Sequence, residues 1–251
     1  MAQLLIGAKA LVTGAGRGIG VEIAKQFAAE GAQVAVHYRG SKDGAEETAR
    51  LIRNAGGTAT ILQADLTDEA DAARLVAETL DALGGLDILV NNAAGFGAGK
   101  TIAEHTWSEI NDEWLAVTKP VVVLTQAALP HLIGQKRGRI VNLSATLLQR
   151  PAERFGAHAM AKAAVLAFTR TLAREVGEHG ITVNAVSPGV ALTEFSLALP
   201  DDFKNAVASR TPLRRIATPA DVAKAVLFFA SPLADFITGA NLAPDGGLAV
   251  L

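Results

Sequence analysis

The stretch from Ala8 to Gly20 constrains the fold of this chain more than any other. Ala8 to Val12 is a short apolar run, the pattern of a strand buried on both faces. Glycines follow at 14, 16, 18 and 20, and a helical period begins at Ile19, with Ile23 and Phe27 on the same face. Glycine allows a tight turn and lets backbone N–H groups approach an anion at a helix N-terminus, where the peptide dipoles also favour negative charge. A strand before and a helix after are the context in which such a cluster reads as a dinucleotide-binding turn, not as an ordinary loop.

Strand and helix periods alternate through the rest of the chain, with no low-complexity linker and no repeat. The patterns predict further strands at 32–38, 58–63, 86–90, 139–143, 181–186 and 241–242. They predict helices at 42–54, 68–83, 106–132, 157–176 and 219–230, with a less regular segment after Pro188-Gly189. Pro120 is expected to kink the third of these regions, 106–132. Repeated βα units imply an α/β, Rossmann-type, doubly wound sheet, mainly parallel and seven-stranded, with helices on both faces. One domain covers 1–251, and its ligands are expected outside the carboxyl ends of the strands.

Composition excludes several classes of function. A formal net charge of −2 gives no electrostatic case for nucleic acid or for an anionic membrane. No apolar run approaches the roughly eighteen residues of a transmembrane helix, and the N-terminus lacks the basic start and cleavage site of a leader. The chain has no cysteine, which excludes disulfides and thiol catalysis. A cytoplasmic location is the expectation. The most consequential count is tyrosine, of which there is one, Tyr38.

Six elements in register carry a resemblance. They are Thr13-Gly14-x-Gly16-Arg17-Gly18-Ile19-Gly20, Asp65 in Ala-Asp-Leu-Thr, Asn91-Asn92-Ala93-Ala94-Gly95, Lys162, Pro188-Gly189 with Thr193, and the C-terminal Thr238-Gly239 with Asp245-Gly246-Gly247. The chain resembles, nearly end to end, the classical short-chain dehydrogenase/reductase family of the 3-oxoacyl-ACP-reductase-like kind. The resemblance implies that residues 13–20 hold the cofactor pyrophosphate and that Asp65 and Leu66 meet the adenine. It also implies that Asn92 and Ala93 line the cofactor, that Lys162 binds the nicotinamide ribose, and that Pro188, Gly189, Val190 and Thr193 contact the carboxamide.

Cofactor preference follows from charge. The second strand ends at Tyr38-Arg39-Gly40-Ser41, where an NAD-preferring protein places an acid for the ribose 2′-hydroxyl, and no carboxylate occurs until Asp43. Arg17 and Arg39 can flank a 2′-phosphate with bidentate, charge-assisted hydrogen bonds, and Ser41 adds a hydroxyl. NADP(H) is therefore preferred and NAD(H) is the less favoured alternative, although both arginines also read as solvated surface residues.

The family's catalytic pattern is broken. Its Tyr-x-x-x-Lys reads His158-Ala159-Met160-Ala161-Lys162, its serine position is Ala145 with Ser144 beside it, and its helix asparagine falls near Val117. The enoyl-reductase branch sets its tyrosine seven residues before the lysine, and that position is Phe155. Two readings stay open. In one, His158 replaces tyrosine as the general acid/base of an oxidoreductase acting on a carbonyl or alcohol, since positions i and i+4 share a helix face and imidazole titrates near neutrality. The Lys162 ammonium would push it towards the neutral form, whose N–H still donates to a developing alkoxide. In the other, the coupled losses leave a catalytically silent NADP(H)-binding homologue acting as sensor, scaffold or oligomer partner.

Other residues weigh less. Glu153, Arg154 and His105 read as surface before they read as cleft. His37, His131 and His179 have no metal-ligand spacing, so no metal is expected. The variable segment at about 190–215 corresponds to the family's substrate lid, where Leu197, Leu199 and Phe203 suit either an apolar ligand or an apolar lid resting on the core. Small-molecule substrate aside, the expected partner is another copy of the chain. The resemblance implies that helices 106–132 and 157–176 form a dimer or tetramer interface. The face Ala157, Ala161, Ala164 and Ala167 suits that or packing on the chain's own sheet.

Overall fold

The computed structural model describes residues 3–95 and 99–249, with Phe195 described by its backbone alone. Seven strands are β1 (Lys9–Val12), β2 (Gln33–Tyr38), β3 (Thr58–Gln63), β4 (Ile88–Asn91), β5 (Gly138–Leu143), β6 (Ile181–Val186) and β7 (Asn241–Leu242). All pair in parallel, in the order β3-β2-β1-β4-β5-β6-β7. Most lie within one or two residues of the ranges that the apolar runs predict.

The strands alternate apolar residues between two covered faces. Ala10, Val12, Val34, Val36, Ile88, Val90 and Val141 face one cluster, which α1 (Gly18–Ala29), α2 (Lys42–Asn54) and α8 (Pro219–Ala230) complete. Leu11, Ala35, Leu89, Ile140 and Val183 face the other, closed by α3 (Glu69–Leu83), α4 (Trp107–Gly134) and α5 (Gly156–Val176). Each fully buried Val, Leu or Ile contributes about 1.5–3 kcal/mol, so both layers are needed to hold the sheet. The strand order reverses between β1 and β4, which opens a crevice at their carboxyl ends.

Three differences from the sequence reading matter. First, α4 is one continuous helix through Pro120 and also through Pro130, a second internal proline that the sequence reading did not single out. A proline at 120 has no N–H for the Ala116 carbonyl, and that carbonyl instead accepts the Gly95 backbone N–H at 3.1 Å. Second, α4 is long and apolar enough to cross a membrane, which corrects the reading that no such run exists. Its apolar residues Val117, Val121, Leu124, Ala128 and Leu132 are buried within the protein instead. Third, the less regular segment contains two helices, α6 (Glu194–Leu197) and α7 (Asp201–Arg210). No residue of α7 is buried, so it carries no amphipathic signal.

Candidate active site

The crevice is stitched together from β1 and β4. Thr13, at the end of β1, donates its hydroxyl to Val90 O at 3.1 Å and accepts from the backbone N–H groups of Asn92 and Ala93, each at 2.9 Å. Asn92 returns the contact through Nδ2 to Thr13 O at 2.8 Å. The glycines between are required by space and by backbone angle. Gly14 has φ +64°, and a Cβ on Gly20 would lie 2.3 Å from the Gly14 carbonyl. The N-terminus of α1 has no side-chain cap and no acid in its first turn, which leaves its N–H groups to an anion.

The glycine turn is held from behind by His37 on β2. The Gly14 N–H donates to His37 Nδ1 at 3.2 Å, and Nε2 lies 3.1 Å from Ala64 O. This bonding requires the tautomer with the proton on Nε2, and burial pushes the imidazole down to about 4, so it stays neutral. Ser41 donates its hydroxyl to Gly16 O at 3.3 Å, and Tyr38 is half-buried beside it.

At the outer end of the crevice, Arg17 and Arg39 are exposed, and Arg39 Nη1 lies 3.9 Å from Asp65 Oδ1. Asp65 accepts from the backbone N–H and the hydroxyl of Thr67, which together hold its carboxyl below the usual range. Leu66 is buried behind it. Across the crevice, the loop Pro188-Gly189-Val190 leads from β6 to Thr193, whose Cγ2 would lie 3.4 Å from a Cβ on Gly18. Glu194 follows, with Oε1 accepting from the Gly18 N–H at 3.4 Å. The α1 N-terminus has no cap from its own N-cap side chain, and the one carboxylate that meets it, from Glu194, stands where an anionic group could bind.

The chemical end lies between β4, β5, α4 and α5. A buried polar chain ties these elements together: Asn91 Nδ2 donates to Thr125 Oγ1 and Asn142 Oδ1, and Asn142 Nδ2 donates to Thr169 Oγ1. Lys162 is buried and its Nζ donates to Leu143 O at 2.8 Å. Burial pushes its ammonium down to about 8, partly opposed by the charge of Glu113. Ser144 is buried beside it, and its hydroxyl donates to the Lys162 carbonyl at 3.1 Å. Ala145 and Val117 present no polar group.

His158 lies one turn before Lys162 on α5, with its side chain 13% exposed. Its Nδ1 is 2.5 Å from Glu113 Oε1 on α4. Sequence reasoning missed Glu113, 45 residues away in the chain. A signal was present, because positions 113, 117, 121, 124 and 128 form one face of a helix and only the first is charged. Burial pushes the His158 pKa down, the Glu113 hydrogen bond opposes that, and the Lys162 charge adds to it. Glu153 and Arg154 are exposed and His105 is half-buried, and Arg154 pairs with Glu104 at 3.6 Å. The lid residues Leu197 and Phe203 are also exposed.

Comparison with known proteins gives a consistent pattern. Residues 14–249 match the family model described as enoyl-(acyl carrier protein) reductase. The 3-oxoacyl-(acyl-carrier-protein) reductase FabG of Staphylococcus epidermidis is 37% identical, over 95% of this chain and 98% of that protein. A solved short-chain dehydrogenase/reductase from Serratia marcescens superposes with a TM-score of 0.91 at 35% identity, over 98% of this chain and 99% of that one. A 7α-hydroxysteroid dehydrogenase, solved with NADH and 7-oxo glycochenodeoxycholic acid, superposes at 0.93 with 32% identity, over 98% and 96%.

Proposed function

The chain belongs to the short-chain dehydrogenase/reductase family, and from that premise we propose that it is a cytoplasmic NADP(H)-dependent oxidoreductase interconverting a small-molecule carbonyl and its alcohol, with His158 in the place of the usual tyrosine. The observation that carries this is the pairing of a half-buried imidazole with a buried ammonium one helical turn on, at the carboxyl end of β5 and next to the crevice.

Residues 13–20 would hold the pyrophosphate, Asp65 and Leu66 the adenine, Asn92, Ala93 and Lys162 the nicotinamide riboside, and Pro188 to Thr193 the carboxamide. When bound, the nicotinamide gives or takes a hydride at the substrate carbon. The protein's own task is then to move one proton at the substrate oxygen, and His158 does this. Lys162 disfavours the imidazolium, so neutral His158 takes the alcohol proton in one direction and the cation returns it in the other. Arg17 and Arg39, with no carboxylate between residues 38 and 42, support a 2′-phosphate. Exposed Trp107, Trp114 and Leu115 on α4 and Met160 on α5 support pairing of these helices with another copy of the chain.

The rival is a silent NADP(H)-binding homologue, supported by the missing hydroxyl at Ala145 and the missing amide at Val117. The test measures NADPH and NADH binding first, then turnover of a panel of ketones and secondary alcohols by the wild type, His158→Ala and Ala145→Ser/His158→Tyr. Turnover that collapses in His158→Ala supports the oxidoreductase. A silent wild type beside an active double variant overturns it in favour of the binding protein.

A further inference from the structure

We propose that Glu113 is the positioning residue for His158: its carboxylate accepts the Nδ1–H, fixes the ring and its tautomer, and makes Nε2 the atom that exchanges a proton with substrate. This rests on the oxidoreductase reading above and adds a residue that the family pattern does not contain.

Glu113 is a charged side chain in a costly place. It is 5% exposed, on a helix face otherwise formed by Val117, Val121 and Leu124. A buried carboxylate is strongly unfavourable unless a cation or hydrogen-bond donor faces it. Among its partners is His158 Nδ1, at 2.5 Å, and its charge also acts on Lys162. The geometry is rigid, because Thr118 donates its hydroxyl to Ala161 O at 3.1 Å and Val117, Val121, Ala161 and Val165 pack together between the two helices. Glu113 stands one turn before Val117, so a carboxylate has appeared one turn from where the family's asparagine is absent.

The chemical consequence is definite. With the proton of neutral His158 on Nδ1 and directed at Glu113, Nε2 is an acceptor. In alcohol oxidation the substrate O–H bond breaks and its proton forms a bond to Nε2, while the carbinol hydrogen leaves with its electron pair to the oxidised nicotinamide and the C=O bond forms. The resulting imidazolium keeps Nδ1–H against the carboxylate, which stabilises it. Reduction runs the same steps in reverse, with Nε2–H as the donor. On this proposal the N–H of the neutral ring is engaged by Glu113, so the alkoxide is served by the imidazolium Nε2–H. Among the described residues, the charged groups acting on the ring are Glu113 from α4 and Lys162 from α5 itself, with opposite effects.

The test combines imidazole nitrogen NMR of the intact protein with pH–rate profiles for a panel of secondary alcohols. The His158 resonance is assigned by its loss in His158→Gln. The expected wild-type signal is the Nδ1–H tautomer. In Glu113→Gln the ring should titrate about one to two pH units lower. Its kcat for oxidation should fall about 10²-fold, with the KM for cofactor unchanged and the rise of the profile moved to lower pH. Glu113→Asp, which keeps the charge, should retain the titration and recover part of kcat. An unchanged tautomer and titration in Glu113→Gln, or equal kcat losses in the Gln and Asp variants, would overturn the proposal. If the resonances shift as expected but the wild type turns over no alcohol or ketone, the oxidoreductase reading fails and the pairing stands as a structural one.

Discussion

Gly95 donates its backbone N–H to the carbonyl of Ala116, 3.1 Å away, and that carbonyl lacks a helical partner because residue 120 is proline. The loop that follows β4 is thereby docked on the flank of α4. Pro120→Ala supplies an amide that competes for the same oxygen. The expected outcome is faster hydrogen exchange at Gly95 and weaker cofactor binding, with global stability maintained. Exchange NMR and nucleotide titration of the variant check this.

Arg39 is expected to set cofactor preference. A charge-assisted hydrogen bond is worth about 1.5–3 kcal/mol, so Arg39→Ala should weaken NADPH binding by roughly 10- to 100-fold. NADH, which lacks the 2′-phosphate, should bind within about twofold of wild type by the same physical argument. Fluorescence titration with both nucleotides separates the two.

Glu194 places a carboxylate at the Gly18 N–H, where a pyrophosphate is proposed to sit. Like charges at one helix N-terminus oppose each other, and such terms are worth about 0.3–1 kcal/mol. Glu194→Gln should therefore tighten NADPH binding about two- to fivefold, and the gain should shrink as salt is added. Titrations at low and high ionic strength test it.

His37 makes stability depend on pH. Its folded pKa is lowered to about 4 from the ordinary 6.5, so between these values the unfolded chain binds a proton that the folded chain does not. Stability thus falls as pH drops from 6.5 towards 4, on the order of 3 kcal/mol in all for this group. His37→Asn should be less stable at pH 7.5 but should lose less between pH 7 and pH 4.5. Urea unfolding of both proteins across that range reads the difference.

The buried chain through Asn142 is also exposed to test. Asn142→Ala removes one partner from each of Asn91 Nδ2 and Thr169 Oγ1, which keep Thr125 Oγ1 and Val165 O. A lost internal hydrogen bond costs about 0.5–1.5 kcal/mol net. A loss of about 1–3 kcal/mol in unfolding free energy is expected, measurable by denaturant titration.

The fold was legible because its strands are apolar on two faces and its helices follow glycine or polar stops. Ala10 and Val12 against Leu11 is a pattern that no surface strand needs. The crevice was legible for a related reason: backbone contacts demand glycine at 14 and 20, and no other residue type can be hidden there. Glu113 was not legible in isolation, since Asn111-Asp112-Glu113 reads as a solvated helix start. Only the register with Val117 and Val121 marks it, and only the packing of α4 on α5 supplies its partner. The partner of Ser144 was not legible either: its hydroxyl meets the Lys162 carbonyl 18 residues on, a contact that only the packing of α5 beside β5 supplies. The helix at 201–210 was invisible because helical periodicity in sequence records burial, and none of its residues is buried.

The bond from Thr13 to the start of the loop at Asn92 joins residues 79 positions apart. The β1–β4 pairing that it seals must close across the whole intervening segment that carries β2 and β3, because β4 adds to the side of β1 away from β2. Long-range parallel pairing is slow to assemble. During refolding, helical signal should therefore return well before nucleotide affinity does. A chain arrested with β1 to β3 alone would own every glycine of the turn and still lack the surface that gives the turn its shape.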